Sequence, residues 1–341
     1  MQRRMERIEI LSDYVLNTPV TPSTLRAFVS QNGFRLLFWR ILYMSLYVNL
    51  YWQLDTFRYG LLSRNRQTIK IQLFNTSYLM ELNPHDRGLS RELCLYGTRE
   101  LYTTNLMSTI IKDDDIIIDI GANIGYYALL ESKLAPTGFV YAIEPVRENF
   151  DYLRTNVDLN KCTNVKLFNC ALSNKRGKDV IFIPEARNCA SLSESSNDGI
   201  SRKENVLLTT LDNFVDEHVK RCPTLVRMDV EGYEHKIVKG ALNLLKECKT
   251  LKIAMELHPS KISESEYDDM LRTLEAHGFK ASASHDPDLH NIKHEKLSNK
   301  LRKRAHLTPY GFLGEGYEVL HKLKKENENI KIAALFTREE T

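Results

Sequence analysis

The sequence predicts an α/β fold, a doubly wound and mostly parallel sheet, on two observations. Residues 115–134 run from β-branched Ile116, Ile117 and Ile118 through Asp119 into a turn punctuated by Gly121 and Gly125. An apolar helical pattern at Tyr127, Leu129, Leu130 and Leu134 opens at once. A short β-branched run of this kind marks a strand buried on both faces. From 139 to 284 the chain then alternates short apolar runs with helical spacings, which argues for parallel strands joined by right-handed crossovers.

The elements follow in order. Gly138 opens a second strand at 139–143, which Glu144 and Pro145 close. Residues 148–160 carry Phe150, Leu153 and Val157 on one helical face, with Asn156 and Asn160 expected to close that helix rather than touch a ligand. A third strand is expected at 165–168, and 180–183 pairs nearby after a turn at Gly177. Residues 185–205, rich in Asn, Ser and charge, read as a loop. A fourth strand at 225–228 precedes a helix at 233–247. A fifth at 251–257 precedes a helix at 264–277 ended by Gly278, with further strands at 279–284 and 330–336.

Residues 1–90 form an amino-terminal extension, expected to be helical, ahead of a main domain at 91–341. Within the extension, 34–62 is rich in aromatics such as Phe38, Trp39, Tyr43 and Trp52, with Ser45, Asn49 and Gln53 as a polar stripe. A spanning helix needs about 20 predominantly apolar residues, and this run is broken by Arg40, Asn49 and Gln53. Four readings stand: a helix packed on the main domain, a contact in a homodimer, an interfacial helix with Arg35 and Arg40 toward lipid headgroups, or a true span. A basic insertion near 286–308, including Lys293, Lys300 and Arg304, is a solvated face or a lid that recruits an anionic substrate.

The 341 residues suffice for one large domain with an extension, and a net charge of +3 implies no global nucleic-acid or membrane field. The six cysteines (94, 162, 170, 189, 222, 248) show no metal spacing and are expected to be reduced thiols of a cytoplasmic protein. The start, Met-Gln-Arg-Arg-Met-Glu-Arg, is not expected to be a secretory signal.

Spacing narrows the ligand of the first turn. A dinucleotide fingerprint wants glycine at 121, 123 and 126, where this chain has Asn123 and Tyr126. No Gly-Lys-Ser/Thr follows, so a Walker-type phosphate loop is excluded as well. Glu144, roughly 20 residues past the turn, stands where a carboxylate accepts ribose hydroxyls. A ribose-bearing ligand without a diphosphate fits S-adenosylmethionine.

Asp-Ile-Gly-Ala-Asn-Ile-Gly-Tyr-Tyr at 119–127, Ile-Glu-Pro at 143–145, Ala-Leu-Ser-Asn at 171–174 and Met-Asp-Val-Glu-Gly-Tyr-Glu at 228–234 together resemble the FkbM-type S-adenosylmethionine-dependent methyltransferases. The resemblance covers about residues 90 to 285. It implies a class I, Rossmann-like, seven-stranded sheet with an antiparallel last strand. It also implies hydroxyl acceptors on sugars, glycolipids or secondary metabolites.

In an open α/β sheet the chemistry sits at the carboxyl ends of the strands. There Asp119 is expected to receive the cofactor's amino group, with Gly121, Asn123 and Gly125 forming the floor of the turn. Glu144 takes the ribose, and Asn169, Cys170 and Ala171 flank the adenine. Glu100, in the Tyr96–Glu100 part of the resemblance, is a further cofactor contact, and the roles of Ser191 and Leu192 stay open.

Methyl transfer to oxygen needs alignment and a proton acceptor. Asp229 and Glu231, one residue apart, point the same way from an extended segment, and Glu256 and His258 repeat the spacing at the fifth tip. His258 or Asp229 is the proton acceptor, the other orienting the hydroxyl. Glu231 either joins them or caps the helix that follows. Two acids and a histidine also suit a divalent metal, although nothing in the chain requires one. A nucleic-acid methyltransferase would want an Asn/Asp-Pro-Pro-Tyr/Phe motif, which is missing. A non-catalytic cofactor-binding protein that docks a membrane or partner is the other alternative.

Overall fold

The computed structural model describes residues 22–43, 49–63, 68–86, 88–184, 200–285, 311–326 and 332–338. Ser191, Leu192, Cys189 and the basic segment 293–306 lie outside them. The described chain begins with helices α1 (Pro22–Ile41) and α2 (Asn49–Leu62), then the hairpin β1 (Thr68–Leu73) and β2 (Thr76–Glu81). Helices α3 (Leu89–Tyr96) and α4 (Leu101–Ile110) lead into β3 (Ile116–Ile120), α5 (Tyr126–Leu134), β4 (Phe139–Ile143), α6 (Arg147–Leu159) and β5 (Val165–Phe168). Strands β6 (Ala171–Leu172), β7 (Gly177–Pro184) and β8 (Ile200–Thr209) follow. Then come α7 (Leu211–Phe214), β9 (Leu225–Met228), α8 (Glu234–Lys239), α9 (Leu242–Glu247) and β10 (Lys252–Leu257). The chain continues with α10 (Glu264–Ala276), β11 (Lys280–His285), β12 (Gly311–Glu315), α11 (Tyr317–Glu326) and β13 (Ile332–Thr337).

The main sheet runs β12-β11-β13-β10-β9-β3-β4-β5. The five strands from β10 to β5 are parallel, and β13 is inserted antiparallel between β10 and β11. The fold class is therefore α/β as expected, but the sheet has eight mixed strands rather than seven. The extra one, β12, carries glycines at 311 and 314 and pairs with β11 across a bulge, so its sequence lacks a strand's apolar signature.

Every residue of β3 is buried, and successive ones enter opposite cores. Ile116, Ile118 and Ile120 join one apolar cluster with α7 to α10, whereas Ile117 joins the other with α3, α5 and the hairpin. This division is the physical meaning of a doubly wound sheet: period-2 alternation with helices on both faces.

Three expectations change here. The extension is not all helical, because β1 and β2 form a hairpin whose alternating residues Ile69, Ile71, Tyr78 and Met80 enter the second core. Asn156 and Asn160 fasten it: Asn156 bonds the N–H and C=O of Glu81 (2.6 and 3.1 Å), and Asn160 those of Leu79 (2.8 and 2.7 Å). Residues four apart on a helix thus pair with residues two apart on a strand, since both steps rise by roughly 6–7 Å. The region 185–205, read as a loop, includes the start of β8, which pairs with β6 and β7 in a separate three-stranded sheet. The cysteines are not all reduced. Cys222 and Cys248, which lead into the adjacent parallel strands β9 and β10, form a disulfide, while Cys94, Cys162 and Cys170 stay thiols.

The helix expected at 233–247 is two helices. Gly240 separates them, and a Cβ there would meet the Ser173 carbonyl oxygen at 2.2 Å. The aromatic segment is likewise two helices, with α1 kinked at Gly33 (φ 80°, ψ 156°). Among the described residues no helix is long and apolar enough to cross a membrane.

Candidate active site

The carboxyl ends of β3, β4, β9 and β10 meet around the turn at 121–125. Gly121 and Ala122 donate their N–H groups to the Ile143 carbonyl (2.9 and 3.0 Å), which ties the turn to the end of β4. The glycines serve chain packing. A Cβ at Gly121 (φ 82°) would stand 2.0 Å from the Asp229 carbonyl oxygen, and one at Gly125 (φ 98°) 2.8 Å from a Leu153 methyl. Such positive φ values are open to glycine at little cost.

Asn123 also lies at positive φ (52°), and its N–H donates to Glu144 Oε2 at 2.9 Å. Val146 N–H donates to Oε1 of the same carboxylate at 2.9 Å. Glu144 is buried, and desolvation raises its pKa to about 7 against the pull of these hydrogen bonds. Asn169 Nδ2 donates to the carbonyls of Glu144 (2.8 Å) and Pro145 (2.9 Å), so it braces the β4 tip. Burial pushes the Cys170 thiol up to about 11, and Ala171 is buried in β6 opposite Leu208.

Asp119, expected to face the cofactor's amino group, is fully buried, and Arg227 Nη1 donates to its Oδ1 at 2.9 Å. Arg227 Nη2 reaches Asp229 Oδ2 at 3.3 Å, and the guanidinium lies 3.8 Å from the centre of the Tyr127 ring. Desolvation raises the Asp119 carboxyl while the Arg227 charge pulls the other way. Glu131, buried nearby, is pushed well up by burial and by Asp119. The sequence signal of Arg227 is a lone charge inside an apolar strand, which requires a buried partner.

Glu100 sits at the start of α4 in a left-handed conformation (φ 43°). Arg99 forms a short ion pair with it, and Tyr127 Oη donates to its Oε2 at 2.9 Å. These contacts bring Glu100 toward Asp229 and Glu256: one carboxylate oxygen from each lies within 4.8 Å of the others.

At the β9 tip the extended geometry expected for the Asp229–Glu231 pair is absent. Strand β9 ends at Met228, and Glu231 adopts φ 54°. The helix-entry contact expected of Glu231 belongs to Glu234, which accepts the Gly232 N–H at 3.1 Å. Glu231 instead pairs with Lys261 at 2.5 Å and lies 3.2 Å from His258 Nε2.

His258 is buried among three carboxylates. Its Nδ1 lies 3.1 Å from Glu234 Oε1, and its Nε2 also lies 3.3 Å from Glu256 Oε1. Both Nε2 contacts are ion pairs. Burial drags the pKa down, but Glu231, Glu234 and Glu256 overcome it and raise it to about 10. The three carboxylates thus favour the protonated ring, a form with no lone pair to accept a proton.

Among the described residues two sets are close enough to share a cation: Asp229, Glu231 and His258, and Glu100, Asp229 and Glu256. Arg227, Arg99 and Lys261 already answer part of that negative potential.

Residues 119–281 match the model of the methyltransferase FkbM domain, so the resemblance read from the motifs holds over that segment. S-adenosylmethionine is the methyl donor of the family. The turn fits such a cofactor. Asn123 Oδ1 is a buried acceptor with no hydrogen-bond partner among the described residues, and it stands beside the Glu144 carboxylate.

A hexuronic acid methyltransferase of Haloferax volcanii, AglP, is 30% identical over 149 residues, covering 43% of this chain and 57% of that protein. Methyltransferase 1 of Beauveria bassiana is 26% identical, covering 38% and 59%. The 31-O-demethyl-FK506 methyltransferase FkbM of Streptomyces tacrolimicus is 24% identical, covering 52% and 77%. The matches thus span less than two thirds of the first two. Among solved structures, M. jannaschii TYW2 in complex with AdoMet superposes over 81% of this chain and 88% of that one. The identity is 16% and the TM-score 0.37, too low to transfer anything from that protein.

Proposed function

We propose that the domain transfers the methyl group of S-adenosylmethionine to a hydroxyl of a sugar, glycolipid or secondary-metabolite acceptor. The observation that carries this reading is Asp229. Its side chain is 17% exposed, and its backbone N–H bonds the Ile120 carbonyl at 3.0 Å, beside the turn. A hydroxyl oxygen that gains a methyl must lose its proton, and a positioned base contributes roughly 10²–10⁴-fold.

Asp229 is the proton acceptor in this reading, and Arg227 fixes its orientation. The bound cofactor supplies an electrophilic methyl on a sulfonium. Glu144 holds the ribose, and the turn at 121–125 holds the amino-acid end. His258, as a cation, positions Glu231 and Glu256 rather than taking the proton. The names of the relatives fit an oxygen acceptor: one methylates a hexuronic acid, another 31-O-demethyl-FK506.

The test is transfer of labelled methyl from S-adenosylmethionine to glycan, lipid and RNA fractions by wild type and Asp229→Asn. The expected result is transfer to a glycan or lipid fraction, reduced about 10²-fold or more in the variant with unchanged cofactor affinity. Transfer to RNA alone, or full activity in Asp229→Asn, overturns the assignment.

A further inference from the structure

Helix α2 is amphipathic in the inverted sense. Its inner side is fastened by polar groups: Tyr96 Oη donates to buried Asp55, and Tyr59 Oη donates to the carbonyls of Asn83 and Pro84, each at 3.2 Å. Its outer side carries Leu50, Leu54, Phe57 and Leu61, exposed by 57, 50, 67 and 59%. The steps of four, three and four place them on one face. Helix α1 buries Leu36 and Leu37 and likewise exposes Phe34, Phe38 and Ile41, by 78, 58 and 39%. A solvated helix face is normally polar, and apolar stripes of this size mark an interaction surface.

The charge of the same segment says what covers it. Residues 22–62 hold four Arg against one acid, Asp55, so this segment carries the whole +3 of the chain. Asp55 is buried and already engaged by Arg58 (3.5 Å) and Tyr96. Arg35 and Arg58 are exposed beside the apolar stripes. A symmetric dimer would set this patch against its own copy, bringing arginine to arginine with no acid between them. A bilayer surface bearing anionic headgroups satisfies both features, taking the apolar side chains below and the arginines at the phosphates.

We infer that α1 and α2 dock the protein on an anionic lipid surface, lying in the interface rather than crossing it. The experiment is flotation of the full chain with vesicles of phosphatidylcholine alone and of phosphatidylcholine with phosphatidylserine. Wild type is expected to float with the anionic vesicles only, and less as salt rises. Leu54→Ser/Phe57→Ser lowers the bound fraction about tenfold, and Arg35→Gln/Arg58→Gln flattens the salt dependence. Retained S-adenosylmethionine binding in both variants shows that they fold. Equal flotation of wild type and the apolar variant, or no flotation of wild type, overturns the inference. So does a wild-type dimer in sedimentation that Leu54→Ser/Phe57→Ser dissociates, because the stripe would then face a second copy.

Discussion

His258 Nδ1 lies 3.1 Å from Glu234 Oε1, and this contact sets the charge at the end of β10. Glu234 is fully buried and accepts from both the Gly232 N–H and the imidazole. It thereby fixes the ring so that Nε2 faces Glu231 and Glu256. Glu234→Gln removes one of the charges that keep His258 protonated. Turnover is expected to fall about tenfold or more while cofactor affinity is unchanged, with a shifted pH profile of kcat. Measurement of kcat across pH beside the cofactor Kd checks this, because a merely structural loss would not move the profile.

Glu144 makes cofactor binding pH-dependent. Its folded pKa is raised to about 7 from an ordinary 4.5, so the native state keeps the proton longer than the unfolded chain. The sign follows: as pH rises from about 4.5 through about 7, the stability that the neutral acid contributes is lost. Over the same window a carboxylate able to accept ribose hydroxyls appears. Titration calorimetry is expected to show affinity for S-adenosylmethionine rising from pH 6 to pH 8. Glu144→Gln should bind weakly at both, without the pH dependence.

Arg227 is the centre of a buried ion network. Arg227→Met strands Asp119, which is fully buried with the guanidinium as its counter-charge. Removal of one member of a buried pair costs roughly 3–5 kcal/mol. Urea unfolding should show that loss, and Asp119→Asn/Arg227→Met should recover a large part of it. Failure of the double variant to recover any stability would mean that Arg227 acts through its contact with Asp229 or Tyr127.

The hairpin is held by amides rather than by a sheet neighbour. Asn156→Ala leaves the N–H and C=O of Glu81 and the Ile124 carbonyl without their side-chain partner. A loss of about 1–3 kcal/mol is expected. Asn160→Ala, whose contacts with Leu79 are exposed, should cost less. Hydrogen exchange should accelerate locally at Glu81 in the first variant and at Leu79 in the second.

Local patterns revealed most of the parallel sheet. Three β-branched residues before a glycine turn specify β3, and apolar runs specify β4, β9 and β10, because a doubly buried strand needs such side chains whatever packs on it. Strands β1, β2 and β12 escaped notice for the opposite reason. The hairpin alternates buried with exposed residues, and β12 is glycine-rich. The helical phase of Asn156 and Asn160 was visible, but their partners were not.

The sequence by itself determined that a strand–turn–helix ligand site exists and that acids crowd the strand ends. Backbone freedom at glycine and the order of apolar runs are properties of neighbouring residues. Only the tertiary structure decided what those acids do. Asp119 meets Arg227 across 108 residues, Gly121 makes room for the carbonyl of Asp229, and three separately placed carboxylates favour the protonated form of His258. Charge state and close approach depend on the distance between groups remote in the chain, and that distance is set only when the sheet assembles.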